Sequence, residues 1–464
     1  MTFALLIPDG VGTRNFVLGP FLRHASAKGQ VHTLHTIPND LLPIYSAELS
    51  DKVQWHTLNP YHGSRLSLFL SEALAYGHMV WADTGAMRLK VKAPVKGSFQ
   101  TRAMTGATRA VGRAAASPRR IKALDRWHSS VASRLPEVEP YRQLFRKIKP
   151  SVLFCSHQRP SIIIPPVLAA RSLGIPTATF IFSWDNLSSK GRIAAPFDHY
   201  LVWSELMRDE LLHFYPDVNP EQVHVVGTPQ FDPYADTKLL WSREEFFRQI
   251  GGDPTRPLIC YSGGDSYTCP EDQEHVRVLM ELIHGGRIKD DPQVVLRPAP
   301  VDGGSRYDKV RKLFPDLIYS APVWAHTKPG DWSRSVPLPE DVQLLANLTH
   351  HSDMNVNMGS TMTLDFSIHD KPVVNVAFDV AQPPSHGVPL WDFVRLFDHY
   401  RPVIEFGTSR FARSEDEYAE HVNTYLENPA LDREGRRKFV DLEVSGPLGQ
   451  ASSRIVETLE QIAR

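Results

Sequence analysis

The chain has 464 residues, of which 42% are hydrophobic, 10% aromatic and 22% charged, an ordinary globular composition that fits about two domains. Lys and Arg number 51 against 52 for Asp and Glu, so no overall charge bias points to nucleic acid, and no nucleic-acid partner is expected. Any bias that matters must be local.

The opening residues, MTFALLIPDG, carry no basic region and too short an apolar run for a secretory leader. Phe3–Pro8 reads instead as a strand. Further short apolar runs follow at Val31–Ile37, Val152–Ser156, Thr177–Ser183, His199–Trp203 and Val223–Gly227, as expected of parallel strands buried on both faces. Helical patterns such as Tyr141–Lys147 and Pro160–Leu173 lie between them. The longest apolar candidate, around Ser161 to Ala170, is broken by Pro165 and Pro166, and no run reaches the length of a membrane-spanning helix. One segment stands apart. From Thr84 to Leu124 there is no Asp or Glu, while Arg88, Lys90, Lys92, Lys96, Arg102, Arg109, Arg113, Arg119, Arg120 and Lys122 are spread among Met, Ala, Val and Phe. Such a stretch suits an anionic membrane surface or an anionic acceptor; the plainer alternative is a solvated loop or helix face.

A break follows at Gly227-Thr228-Pro229-Gln230-Phe231-Asp232-Pro233, whose prolines and glycine read as a hinge. The alternation then restarts, with strands at Leu258–Ser262, Val294–Arg297, Leu317–Ser320, Met354–Asn357 and Val373–Ala377. Helices are expected at Asp272–Ile283, Glu340–His350, Thr361–His369 and Glu415–Leu426, with a last one at Ser452–Ala463. The expected organisation is α/β: a first Rossmann-like domain over 1–228, a second over 229–445, and a terminal helix within 446–464. Open parallel sheets bind ligands at the carboxyl ends of their strands, so a cleft between two facing sheets is the expected site. Cys155, Cys260 and Cys269 are widely spaced and form no Cys-x-x-Cys pair, which argues against a disulfide framework and for a reducing, cytoplasmic setting.

The most informative stretch runs from Asp353 to Asp365. A strand ends at Asn357, a helical pattern begins near Thr361, and Gly359, Ser360 and Thr361 sit between. Glycine permits close approach to the backbone, and a helix start offers N–H groups, hydroxyls and a favourable dipole to an anion such as a nucleotide diphosphate. The alternative is that Ser360 only caps the helix. Asp365 shares a helix face with Thr361, where it could accept from ribose or sugar hydroxyls. Gly263, Gly264 and Asp265 follow another strand, either as a close-approach loop for the donor or as an ordinary tight turn. For a general base the strand-end candidates are Asp9, His157 and Asp185; for each, a cap or turn role is the alternative.

These motifs carry a resemblance. The segments around Ser352-Asp353, Asn357-Met358-Gly359-Ser360-Thr361, Asp365 and Lys371-Pro372-Val373-Val374 resemble the donor half of GT-B glycosyltransferases. The similarity is to the branch containing CDP-glycerol glycerophosphotransferases and UDP-N-acetylglucosamine 2-epimerases. Val225-Val226-Gly227-Thr228-Pro229-Gln230-Phe231-Asp232 resembles that branch's interdomain segment. Val295-Leu296-Arg297-Pro298 resembles its "RPHP" signature, and Ser183-Trp184-Asp185-Asn186-Leu187 a "SWDN" segment of its surface-polysaccharide members. The resemblance implies a GT-B fold of two Rossmann-like domains facing across a cleft, with a donor phosphate at Ser360 and Thr361. Arg297 is then a phosphate ligand or a structural ion pair. The signature's histidine is Ala299 here, which counts against glycerophosphate transfer.

The expected activity is transfer of a sugar from a nucleotide-sugar to a hydroxyl of a surface glycan or lipid-linked acceptor, without cofactor. The segment 84–124 would make peripheral contact with an anionic membrane at its inner face. The rivals are CDP-polyol-dependent polyol-phosphate transfer, nonhydrolysing epimerisation of a nucleotide-sugar, and a binding subunit without turnover. No Asp-x-Asp metal pair, Walker A loop, Gly-x-Gly-x-x-Gly after the first strand, zinc cluster or Gly-x-Ser-x-Gly elbow occurs.

Overall fold

A computed structural model describes residues 1–47, 49–266, 268–326 and 335–464. The chain divides into two compact units. The first holds Met1–Gln230, Phe397–His399 and Glu443–Arg464; the second holds Phe231–Leu396 and Tyr400–Leu442. The division falls inside the Pro-rich stretch of the sequence. The last helix, Ala451–Ile462, is part of the first unit: Arg454 donates to the Val226 and Ser445 carbonyls at 2.9 Å each.

The first unit is built on a seven-stranded sheet, β1 Thr2–Ile7, β2 Gln30–His35, β3 Val53–Thr57, β4 Val152–Cys155, β5 Thr177–Phe180, β6 His199–Val202 and β7 Val223–Val225. Their order is β3-β2-β1-β4-β5-β6-β7, parallel throughout. The central strands are apolar on both faces because helices cover both, and the rings of Phe16, Phe21, Phe154 and Phe180 meet edge-on or tilted at 5.2–5.7 Å. The edge strand β3 escapes the sequence pattern because it is only partly buried, with Gln54 and Thr57 exposed.

The acid-free segment is helical, not a loop. It forms Gly85–Lys92, Phe99–Ala114 and the start of Pro118–Ala132. Thr84 and Ser98 cap the first two by accepting from Met87 and Thr101 N–H at 3.2 Å each. Helix Phe99–Ala114 crosses helix Arg65–Ala82 at Gly77 and Gly112. A Cβ on either would press into the other helix's backbone, 2.7 Å from the Gly112 carbonyl or 2.6 Å from that of Ala73, so the two glycines set how closely the helices approach. Arg109 and Arg113 lean back over the Tyr76 ring, and Arg109 also donates to the Ala93 carbonyl. These two charges therefore serve the helix packing. The segment's most exposed large apolar side chains are at its tip, where Phe99 is 85% and Met104 55% accessible.

The second unit carries a six-stranded parallel sheet, β8 Leu258–Ser262, β9 Gln293–Arg297, β10 Ile318–Tyr319, β13 Met354–Asn357, β14 Val373–Val376 and β15 Arg410–Ala412, in the order β10-β9-β8-β13-β14-β15. A small antiparallel pair, β11 Trp324–His326 and β12 Ser335–Pro337, is separate from it. Phe246, Phe247, Leu258, Val295, Leu348, Phe366 and Val373 form its core. The short β11, β12 and β15 give no sequence signal, having two or three residues of pattern each. No helix among the described residues is long and apolar enough to cross a membrane.

Candidate functional site

In the first unit the strand order reverses between β1 and β4. The connections after these two strands leave in opposite directions, so a crevice opens at their carboxyl ends. Asp9 follows β1, His157 follows β4, and the two meet. His157 Nδ1 is bonded to Asp9 Oδ2; a carboxylate only accepts, so Nδ1 carries the proton. Asp9 Oδ1 accepts from Gly12 N–H at 2.8 Å. One carboxylate thus caps the turn after β1 and orients the imidazole. A Cβ at position 12 would come within 2.6 Å of Ser156 Oγ and would make that hydroxyl shift. Burial by itself would raise the Asp9 carboxyl. The His157 charge and hydrogen bond, with the Gly12 and Val11 amides, outweigh it and hold the group below the usual carboxylate range. The imidazole lies on Phe182, centroids 4.0 Å apart and planes 16° from parallel. Its Nε2 is buried without a hydrogen bond, and so is Ser156 Oγ on the neighbouring residue. Buried polar atoms seldom lack partners; two on adjacent residues mark a place where a ligand's polar group would be satisfied.

Asp185 lies after β5, the next strand along, and is not part of the pair. Asn186 Nδ2 approaches one of its oxygens at 3.0 Å, Ser189 Oγ and Lys190 Nζ the other at 2.9 and 3.3 Å. Burial raises its pKa, but Lys190, His399 and the serine hydroxyls outweigh burial and hold the carboxyl far below its ordinary value. So well-satisfied a carboxylate is a poor proton acceptor, and this corrects its candidacy as the base. Asp185 organises a loop instead. Asn186 Oδ1 accepts from Gln158 Nε2 at 3.0 Å and Gln158 Oε1 from Phe182 N–H at 3.1 Å, which ties that loop to the residue stacked on His157.

In the second unit the order reverses between β8 and β13, and the Gly359-Ser360-Thr361 turn follows β13. Gly359 has φ +80°, a left-handed conformation that glycine adopts without strain. The open amides expected here are already used. Gly359 and Ser360 N–H both donate to Asn357 Oδ1 at 2.8 Å, Met362 N–H to Ser360 Oγ at 3.2 Å, and Thr363 N–H to the Ser360 carbonyl at 3.0 Å. Asn357 is fixed in turn. Asn375 Nδ2 donates to its Oδ1 at 2.8 Å, and its own Nδ2 reaches Asn355 Oδ1 at 2.7 Å and Thr363 Oγ1 at 3.1 Å. Tyr400 closes the network at 2.7 Å from Thr363 Oγ1. The side chains of Ser360 and Thr361 are half-buried.

The other donor candidates are placed as follows. Asp365 is 2% exposed and its carboxylate takes the Tyr234 hydroxyl; it faces inward, which corrects its assignment to ribose or sugar hydroxyls. Gly263 and Gly264 do not clear space for a ligand, since a Cβ at either would collide with Tyr307 or Cys269. Asp265 accepts from Thr268 N–H at 3.1 Å and from its hydroxyl, the geometry of a turn. Arg297 is buried and paired with Asp341 at 2.8 Å. Asp341 also takes Val323 N–H at 2.8 Å and Trp324 Nε1 at 2.7 Å. Arg297 is therefore a structural ion pair, but its second terminal nitrogen, Nη1, is buried without a partner and remains able to meet an anion. Among the described residues no three His, Cys, Asp or Glu side chains gather as a metal site. Sequence reasoning missed the asparagine network, although the alternation Met354-Asn355-Val356-Asn357 signals polar side chains on one face of a buried strand.

Two parallel, Rossmann-like sheets, each reversing its order at a switch point, make this a GT-B fold. No family model matches the chain, and no curated protein matches it in sequence. Solved structures do match. The UDP-GlcNAc 2-epimerase from Methanocaldococcus jannaschii superposes with a TM-score of 0.54 at 10% identity, covering 99% of this chain and 100% of its own. A glycosyltransferase from Rickettsia africae gives 0.52 at 10% identity, covering 100% and 98%. The wall teichoic acid polymerase TagF gives 0.50 at 9% identity, covering 100% and 88%. At such identities the likeness carries the fold.

Proposed function

We propose that the protein is a metal-independent glycosyltransferase, moving a sugar from a nucleotide-sugar to a hydroxyl of a surface glycan or lipid-linked acceptor. The observation that carries this reading is the Asp9–His157 pair, with its outer nitrogen unpartnered, at the first unit's switch point. Transfer to a hydroxyl with inversion needs a base to take the acceptor's proton as the glycosidic bond to the nucleotide breaks. His157 Nε2 is the base, and Asp9 fixes the tautomer and stabilises the imidazolium that forms, the logic of any carboxylate-oriented imidazole. The second unit binds the donor: the hydroxyls of Ser360 and Thr361 and the spare Arg297 nitrogen stabilise charge on the leaving nucleotide. Membrane contact is through the helical tip carrying Lys92, Lys96, Phe99, Arg102 and Met104, a basic patch around exposed apolar side chains.

A second reading, a nucleotide-sugar epimerase, is favoured by the name of the Methanocaldococcus structure. Polyol-phosphate transfer has the TagF likeness in its favour and Ala299 against it. Incubation with UDP-, GDP-, CMP- and CDP-linked donors separates them. Slow donor hydrolysis without acceptor is the result expected of the transferase. A changed sugar still joined to its nucleotide means epimerase, release of nucleoside monophosphate with the polyol phosphate means the third, and tight binding without turnover means a binding subunit. Failure to bind any nucleotide overturns all four.

A further inference from the structure

Around Asp185 positive charge outnumbers negative. Lys190 reaches the carboxylate, and Lys90, from the acid-free segment, donates to the neighbouring Ser189 carbonyl at 2.5 Å. Thr84 fastens the same loop by donating to the Ser188 carbonyl at 2.6 Å. Arg159 comes two residues after His157 and next to Gln158, whose Nε2 donates to Asn186 Oδ1 of this loop at 3.0 Å, and it feels the charge of both Asp185 and Asp9. All three cations are half-buried.

Arg159 pairs with neither carboxylate: Asp185 holds Asn186, Ser189 and Lys190, and Asp9 holds Gly12 and His157. Among the described residues Arg159 makes no direct hydrogen bond or ion pair, although a guanidinium has five N–H donors. Lys90 uses one of its three. Half-burying three cations against two carboxylates leaves a positive charge that an anion would offset. The strain has a second sign: burial, then the charges of Lys190 and Arg159, push the Lys90 ammonium down to about 8.

We propose that Arg159, Lys90 and Lys190 form an anion subsite that holds a phosphate group of the acceptor beside the Asp9–His157 base. This rests on the reading that the first unit binds the acceptor, and it adds what kind of acceptor: a phosphorylated one. A guanidinium with spare parallel N–H groups and two ammonium groups is the donor set that grips phosphate oxygens. Held there, the phosphate lies on the loops after β4 and β5, and the remainder of the acceptor can reach His157.

The test needs no turnover, so it stands apart from the transferase assay. Lys90 acetylation by acetic anhydride is followed by peptide mass spectrometry on the full-length protein, with inorganic pyrophosphate as the probe. Pyrophosphate should slow modification of Lys90 by about tenfold at ten times its dissociation constant. Arg159→Gln should abolish that protection, and Arg159→Lys should restore part of it. Circular dichroism checks that both variants are folded, and Lys190→Gln, which leaves the dyad intact, provides a second variant. The proposal is overturned by an unprotected Lys90, by protection that survives both Arg159→Gln and Lys190→Gln, or by protection from nucleotides but not pyrophosphate.

Discussion

The two sheets reverse at equivalent places, yet they treat their polar groups in opposite ways. At the second unit's switch point every turn amide named above has an internal acceptor, and one asparagine, Asn357, receives three donors. At the first unit's switch point His157 Nε2 and Ser156 Oγ have none, and among the described residues Arg159 makes no direct hydrogen bond or ion pair. A satisfied network holds a loop in one shape. An unsatisfied one has chemistry left to do. The comparison teaches that the second turn is a locked platform, while the first is the side on which the proposed reaction would take place.

The largest effect is expected from the reacting side. His157→Ala should lower transfer by about 10²–10⁴-fold while nucleotide affinity, measured by calorimetry, stays unchanged; a parallel loss of affinity would erase the contrast between the units. The platform is probed by Asn357→Ala. It strands the Gly359 and Ser360 amides and the Asn375 side chain, and should cost about 3 kcal/mol of stability in denaturant unfolding. A value near zero would mean that the turn is not locked by its asparagine.

A pH-dependent effect is expected from Glu443, buried in the first unit against the Ser204 hydroxyl. Burial lifts its carboxyl from 4.5 to about 8. The folded state holds this proton where the unfolded chain has released it, so the group's stability contribution is full below pH 4.5 and is lost as pH rises toward 8. Glu443→Gln should flatten that decline, raising the melting temperature above pH 7 and leaving it unchanged near pH 4. The smallest effect is at the donor turn itself. Ser360→Ala with Thr361→Val should weaken nucleotide binding about tenfold, or about 1.4 kcal/mol. Ser360 Oγ also accepts Met362 N–H, so a modest loss of stability accompanies it; unchanged affinity would remove the turn from the donor site.

Strand positions were readable because central strands buried on both faces repeat apolar runs, whereas strand order came only from the structure. Leu258–Ser262 and Met354–Asn357 have the bounds expected for them. The edge strands β3 and β15 were not, since one neighbour and partial burial leave little pattern. Asp9, His157 and Asp185 were all readable as strand-end polar residues. Their division into a dyad and a loop anchor was not, because each carboxylate's role depends on residues 148 or 4 positions away.

By itself the sequence determined an α/β chain of two parallel sheets, a Pro-rich junction and the turns that bear the polar residues, because apolar periodicity and glycine placement are local properties. Only the tertiary structure decided which of those polar groups are spent. It turned Asp365 inward, paired Arg297 with Asp341, and brought Lys90 to the loop at Ser189, ninety-nine positions along the chain. Hydrogen-bond capacity is consumed by whichever neighbour the fold supplies, and no local pattern records that neighbour.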